Sequence, residues 1–133
     1  MSRAFFDTNV LIYATLAADP RRPVARALLD HGGSIGTQCL NEFASVARRK
    51  LRVDWAVIRE QLAIIAGLCS TIVPLDVEVH RSGLGIAERH RLSVYDGMIV
   101  AAALAADCDT LYSEDMHAGL VIADRLTIVN PFA

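Results

Sequence analysis

Hydrophobic and polar positions alternate along the chain between short β-like runs and longer stretches of helical period. That pattern predicts an α/β domain with a parallel sheet. "RAFFD" (3–7) predicts a first strand and "NVLIYATLA" (9–17) the first helix. Pro20 and Pro23 suit the start of a second helix, which runs to about Asp30 and stops at Gly32 and Gly33. "SIGT" (34–37) predicts a short strand, followed by helices over 38–50 and 54–68. "STIVPL" (70–75) predicts another strand, with Asp76 as the N-cap of the next helix. Gly83 and Gly85 weaken that helix and allow it to bend. "SVYDGMIVAAALAAD" (93–107) is apolar on nearly every face beyond its first turn, which predicts a buried central helix. "TLYS" (110–113) and "LTIVNP" (126–131) read as the last two strands. Five short strands with helical crossovers predict a three-layer α/β/α sandwich around a five-stranded parallel sheet, one domain over 1–133.

Composition sharpens this in two ways. Hydrophobic residues make up 53 % of the chain and charged residues 21 %, with a mean hydropathy of +0.36. That is more apolar than an ordinary soluble domain, yet no run reaches the roughly 18–20 residues that span a bilayer. The surplus apolar surface predicts contact with a second copy or a different protein. "MSRAFFD" at the start carries no apolar signal region with a cleavage site, so no membrane association and a cytoplasmic location are expected. Cys39, Cys69 and Cys108 are odd in number and form no CxxC, as expected of small buried hydrophobes in a reducing compartment. A net charge of −2 gives no global electrostatic footprint for nucleic acid. Local ones remain at "RRKLR" (48–52) and "ERHRL" (88–92), each equally readable as a solvated helix end.

In parallel sheets, ligands sit beyond the carboxyl ends of the strands, near the topological switch point. Four acids from four segments fall on that side: Asp7, Glu42, Asp96 and Asp115. Each has an ordinary structural role available. Asp7 suits the cap of the first helix, and Glu42 suits a helix residue at the edge of the stripe formed by Cys39, Phe43 and Val46. "SVYD" fits a capping box with Ser93 as N-cap and Asp96 three residues on. Asp115 suits the cap of a short helix through "MHAG", and Glu114 and His117 read as solvated. Together, however, convergent carboxylates repel one another and raise each other's pKa, so a cleft that gathers four requires a cation. Oxygen ligands without a Cys or His cluster point to a hard ion, Mg²⁺ or Mn²⁺. Such a site suits hydrolysis of a phosphodiester.

These residues resemble those of a known family. "FFDTNVLIY" (5–13), "NEF" (41–43), "SVYDGMIVAAAL" (93–104), "CDTLYSEDM" (108–116) and "LTIVNPF" (126–132), in this order and spacing, resemble PIN-domain nucleases, and in particular VapC-type toxins of toxin–antitoxin pairs. The resemblance covers essentially the whole chain. It implies a Mg²⁺- or Mn²⁺-dependent endoribonuclease whose acidic quartet is Asp7, Glu42, Asp96 and Asp115. It also implies that Ser113 helps hold the site and that Asn9 orders the carboxylates. The partners implied are RNA, a homodimer mate, and a small antitoxin whose tail occupies the groove, where an Arg would pair with the acids. Arg48, Arg49, Lys50 and Arg91 are the candidate phosphate contacts. Gly97 stands where many relatives carry Ala, expected to cost helix propensity without affecting chemistry. The competing readings are a catalytically silent PIN fold and a receiver-like Mg²⁺-binding domain. The latter needs a phosphoacceptor Asp after a central strand and a downstream Lys, whereas the only Lys is Lys50, in a mid-chain helix. An Asp-nucleophile phosphatase would want Asp where Asn9 stands.

Overall fold

The computed structural model of the chain describes residues 3–133. β1 (Ala4–Phe6) passes through Asp7 into α1 (Thr8–Thr15), and α2 (Arg22–His31) returns the chain to β2 (Ser34–Gly36). α3 (Thr37–Arg49) and α4 (Trp55–Leu68) lead to β3 (Thr71–Val73). α5 (Val77–His90) and α6 (Val94–Ala105) then cross to β4 (Thr110–Tyr112), with β5 (Val121–Ile122) and β6 (Leu126–Val129) completing the sheet. The strand order is β3-β2-β1-β4-β6-β5, and all pairings are parallel except β5 with β6. β2 and β3 extend the sheet to one side of β1, and β4 and β6 to the other. The switch point therefore lies between β1 and β4, where a ligand crevice is expected.

The core forms where the sheet meets its helices. Phe5, Phe6, Leu111 and Ile128 are fully buried on the central strands, and α6 is buried from Gly97 through Ala103. α6 packs on α5 and on β2 and β3, whereas α1 packs on α2 and α3, and α3 on α4. The expected sandwich is therefore present. Cys39 and Cys108 are buried and Cys69 is half-buried, all as free thiols. Among the described residues no helix is long and apolar enough to cross a membrane. Much of the apolar excess stays on the surface: Trp55, Ile64 and Leu68 of α4, Val77 of α5, and Tyr95 of α6 are exposed.

Two expectations are corrected. The sheet has six strands, not five, because β5 adds an antiparallel edge strand. Its hairpin turn is made by Ala123 and Asp124, both in the left-handed region (φ 54° and 56°), with Arg125 N–H donating to Ile122 O at 3.2 Å. Ile122 pairs with Leu126, so the loop is the three residues Ala123, Asp124 and Arg125; the left-handed positions of hairpin turns are usually marked by Gly or Asn, and neither stands here. The second correction concerns Gly83 and Gly97. α5 runs unbroken through Gly83 and Gly85, and Gly83 and Gly97 face each other across the α5–α6 contact. A Cβ on Gly97 would collide with the carbonyl oxygen of Gly83 and stand 2.9 Å from the Ala87 Cβ. A Cβ on Gly83 would stand 2.7 Å from the Met98 sulfur. Gly97 is thus the contact that lets the two helices close, rather than a mere loss of helix propensity. Gly97→Ala is expected to overpack this contact and lower unfolding free energy by about 1–3 kcal/mol, read as a lower urea midpoint with an unchanged m-value.

Candidate active site

The β1–β4 ladder runs one residue past its last pair. Phe6 lies opposite Tyr112, and Asp7 N–H donates to Tyr112 O at 3.0 Å, while Ser113 N–H donates to Val129 O at 3.0 Å. Asp7 and Ser113 therefore emerge side by side at the carboxyl ends of two neighbouring strands. Both are buried, Asp7 at 4 % and Ser113 at 0 % exposure. One Asp7 oxygen accepts the Thr8 N–H at 2.7 Å, which makes Asp7 the N-cap of α1. The other accepts the Ser113 hydroxyl at 2.7 Å and the Asn9 amide at 3.4 Å. The capping role expected of Asp7 is real, and the same carboxylate also reaches the crevice.

Asn9 joins the two strand ends. Its Nδ2 donates to Asp115 Oδ2 at 3.2 Å, and its Oδ1 accepts the Glu114 N–H at 3.3 Å. Glu42 comes from the second turn of α3. Its oxygens accept from Gln38 Nε2 at 3.0 Å and from Thr8 Oγ1 at 3.4 Å. Asp96 lies in the first turn of α6, whose N-cap is Ser93 with its hydroxyl accepting the Asp96 N–H at 3.1 Å. No helix forms after Asp115, so its alternative as a helix cap is excluded. All four acids line one cavity of about 260 Å³, together with Asn9, Tyr13 and Lys50.

The electrostatics of this cavity are unbalanced. None of the four acids is ion-paired among the described residues. Burial raises the Asp7 pKa from its ordinary 3.8 to about 7 against the lowering effect of the Ser113 and Thr8 hydrogen bonds, with the charges of Asp96 and Glu42 adding to the rise. Asp96 is also raised, first by burial and further by Asp115, against its hydrogen bond with Ser93. Among the described residues no three Asp, Glu, His or Cys side chains form a ready-made metal group. The acids share one cavity without converging on a single point. The donor set is all oxygen and carries a surplus of negative charge, which fits a hard divalent cation.

The candidate phosphate contacts fare unequally. Lys50 lines the acid cavity. Arg48 instead stacks over Trp55 at 5.2 Å and donates to Val53 O at 3.3 Å. Arg49 and Arg91 are exposed, and neither lines the cavity. Arg91 ends α5 in the left-handed region, and His117 is exposed as expected. Sequence reasoning missed Gln38, Thr8, Tyr13 and Arg21. Only the Gln38–Glu42 pair had a visible signal, its i, i+4 spacing on one helix. Glu114, expected in solvent, is half-buried and bound by Tyr13 and Arg21.

Comparison with known proteins agrees with this architecture. Among solved structures, the chain is similar to VapC20 of Mycobacterium tuberculosis, described as a sarcin–ricin loop cleaving toxin. That match has a TM-score of 0.70 and 18 % identity, over 84 % of this chain and 89 % of that one. It is also similar to a toxin–antitoxin complex from Klebsiella pneumoniae (TM-score 0.71, 17 % identity, 97 % and 98 % covered). A third similar structure is FitAcB of Neisseria gonorrhoeae (TM-score 0.69, 22 % identity, 97 % and 98 % covered). No curated protein matches the sequence significantly. The family model described as PIN domain matches residues 4–119, which spans β1 through the loop after β4 and includes all four acids; the chain belongs to the PIN domain family.

Proposed function

We propose that this protein is a divalent-cation-dependent endoribonuclease acting as the toxin of a toxin–antitoxin pair. The observation that carries the reading is the cavity at the sheet's switch point, lined by four carboxylates that have no ion pair among the described residues. Asp7, Glu42, Asp96 and Asp115 would hold Mg²⁺ or Mn²⁺, which when bound supplies Lewis-acid stabilisation of the phosphoryl charge and an acidified water. Ser113 and Asn9 orient Asp7, and Asn9 also holds Asp115. Gln38 and Thr8 fix Glu42. Lys50, at the cavity wall, meets a phosphate of the RNA strand, which is cut to leave a 5′-phosphate and a 3′-hydroxyl. Arg49 and Arg91 remain candidate phosphate contacts farther along the strand, and Arg48 is the weakest because it is already engaged with Trp55.

The partner reading draws on the toxin–antitoxin structures among the similar folds and on the exposed apolar residues. A second copy of the chain and an antitoxin would cover that surface. An antitoxin Arg placed against the acids would satisfy the same charge surplus in the inhibited state.

Three outcomes are expected. Asp7→Asn and Asp96→Asn should each reduce cleavage of defined RNAs below about a hundredth of wild type, the upper end of what even supporting residues of a metal site cost, with the circular dichroism spectrum unchanged. EDTA should do the same to wild type; full activity in either variant would remove these residues from the site, and inactivity of the wild type under all metals would favour the silent PIN fold.

The raised pKa of Asp7 makes a second prediction, about stability. The folded protein keeps the Asp7 proton over a range, from about pH 4 to about pH 7, in which the unfolded chain has lost it. Stability therefore falls as pH rises through that window, and the penalty is complete above pH 7. In chelator at pH 8, Asp7→Asn should melt several degrees above wild type, with the gap closing towards pH 5. Millimolar Mn²⁺ should raise the wild-type midpoint and leave the variant's nearly unmoved.

RNA binding, thirdly, should weaken with salt. Lys50→Met should flatten the slope of log K against log salt by about 0.7, the value for one single-strand phosphate contact. An unchanged slope would remove Lys50 from the phosphate path.

A further inference from the structure

Glu114 and Asp115 are consecutive acids on one loop beside the cavity, yet the structure treats them in opposite ways. Asp115 is held by Asn9 and lines the cavity with no ion pair among the described residues. Glu114 is enclosed by a separate group of side chains. The Tyr13 hydroxyl donates to its Oε1 at 2.6 Å, and Arg21 Nε lies 3.1 Å from its Oε2. The same guanidinium stands 4.6 Å from the centre of the Tyr13 ring and 3.3 Å from Asp19 Oδ2. Phe132 packs edge-on against the ring at 5.3 Å. Burial, then the hydrogen bond and charge of Glu114, pushes the Tyr13 hydroxyl up to about 12, so it stays a donor.

Two adjacent free carboxylates on a short loop would compete for one cation, and the extra charge would raise the field over the whole cavity. A cation that pairs with one carboxylate, here a guanidinium that also stacks on an aromatic ring, is suited to suppressing one of them. We propose that Arg21, with Tyr13, is a positioning residue that withdraws Glu114 from the cation-binding set, so that Asp115 alone of the pair serves. This rests on the cation-dependent reading above and adds a selection step to it: beside the four acids of the cavity stands a fifth, Glu114, and the α1–α2 connection holds it to Arg21 and away from them.

The test is Mn²⁺ titration by calorimetry, alongside RNA cleavage, on the purified full chain and four variants: Arg21→Met, Arg21→Lys, Glu114→Gln, and Arg21→Met with Glu114→Gln. Arg21→Met leaves Glu114 unneutralised, so Mn²⁺ should bind about threefold or more tightly while cleavage falls about tenfold as Asp115 loses its sole claim. Glu114→Gln alone, which keeps the Tyr13 hydrogen bond, should stay within about twofold of wild type in both measurements. The double variant should return Mn²⁺ affinity to the wild-type value, and Arg21→Lys, which keeps the charge, should bind Mn²⁺ as wild type does. Weaker or unchanged Mn²⁺ binding by Arg21→Met overturns the proposal, as does a loss in Glu114→Gln equal to that in Arg21→Met. Either would mean that the contact only fastens the loop. Absence of Mn²⁺ binding by the wild type, judged against Asp7→Asn, overturns the cation-dependent reading and this inference with it.

Discussion

The rest of the crevice is arranged around a carboxylate taken out of water with no cation beside it. Asp7 stands at the end of a central strand, almost fully enclosed. An isolated ionised carboxylate in such a place is costly unless it is hydrogen-bonded or paired. Three donors meet it: the Thr8 amide, the Ser113 hydroxyl and the Asn9 amide. They offset part of the cost, and the raised pKa shows that they do not offset all of it. Each donor belongs to a position fixed by backbone, since Thr8 begins α1 and Ser113 continues β4. Asn9 then ties the same carboxylate to Asp115. One buried charge thus accounts for the side chains at two neighbouring positions, Ser113 and Asn9.

Bringing Asp96 to this point is a packing problem rather than an electrostatic one. Asp96 rides on α6, the helix with the longest buried run, and its place is set by how closely α6 approaches α5. That approach depends on Gly83 and Gly97 facing one another. Gly97 directly follows Asp96, so the contact that fixes the helix also fixes the height of the acid above the sheet. Position, rotation and chemistry are set within two residues. An added methyl at Gly97 would disturb all three at once.

How much of this was legible depended on whether the signal was periodic, local or neither. The strands and helices that place Asp7, Glu42, Asp96 and Asp115 follow from hydrophobic period and cap residues, and the structure brings all four acids to one cavity. Asn9 and Ser113 came with the resemblance and make the hydrogen bonds expected of them. β5 was invisible because Ala123 and Asp124 adopt a turn conformation that neither residue announces. The role of Gly97 was misread because a close helix contact involves two positions fourteen apart, and only propensity is visible at either alone. Glu114 was misread for a similar reason: its partners, Tyr13 and Arg21, lie about a hundred residues away in the chain. Arg48 and Arg49 share a charge run with Lys50 and Arg91 lies in another, but of the four only Lys50 lines the acid cavity.

Helix ends help explain how four acids without ion pairs among the described residues can be gathered in one cavity. Asp7 caps α1 and Asp96 lies in the first turn of α6, where unsatisfied backbone N–H groups carry partial positive charge. Each such placement stabilises an anion by about 0.3–1 kcal/mol at an exposed site and more when partly buried. Two of the four acids therefore receive a fixed, uncharged substitute for a counter-ion. Glu42 and Asp115 do not; Asp115 is exposed, where water does the same work. The most buried of the four, Asp7, is one of the two at a helix N-terminus. The compensation is partial by construction, because a dipole end offers about half an elementary charge. A crevice built this way folds with its carboxylates in place and still keeps a net attraction for a cation.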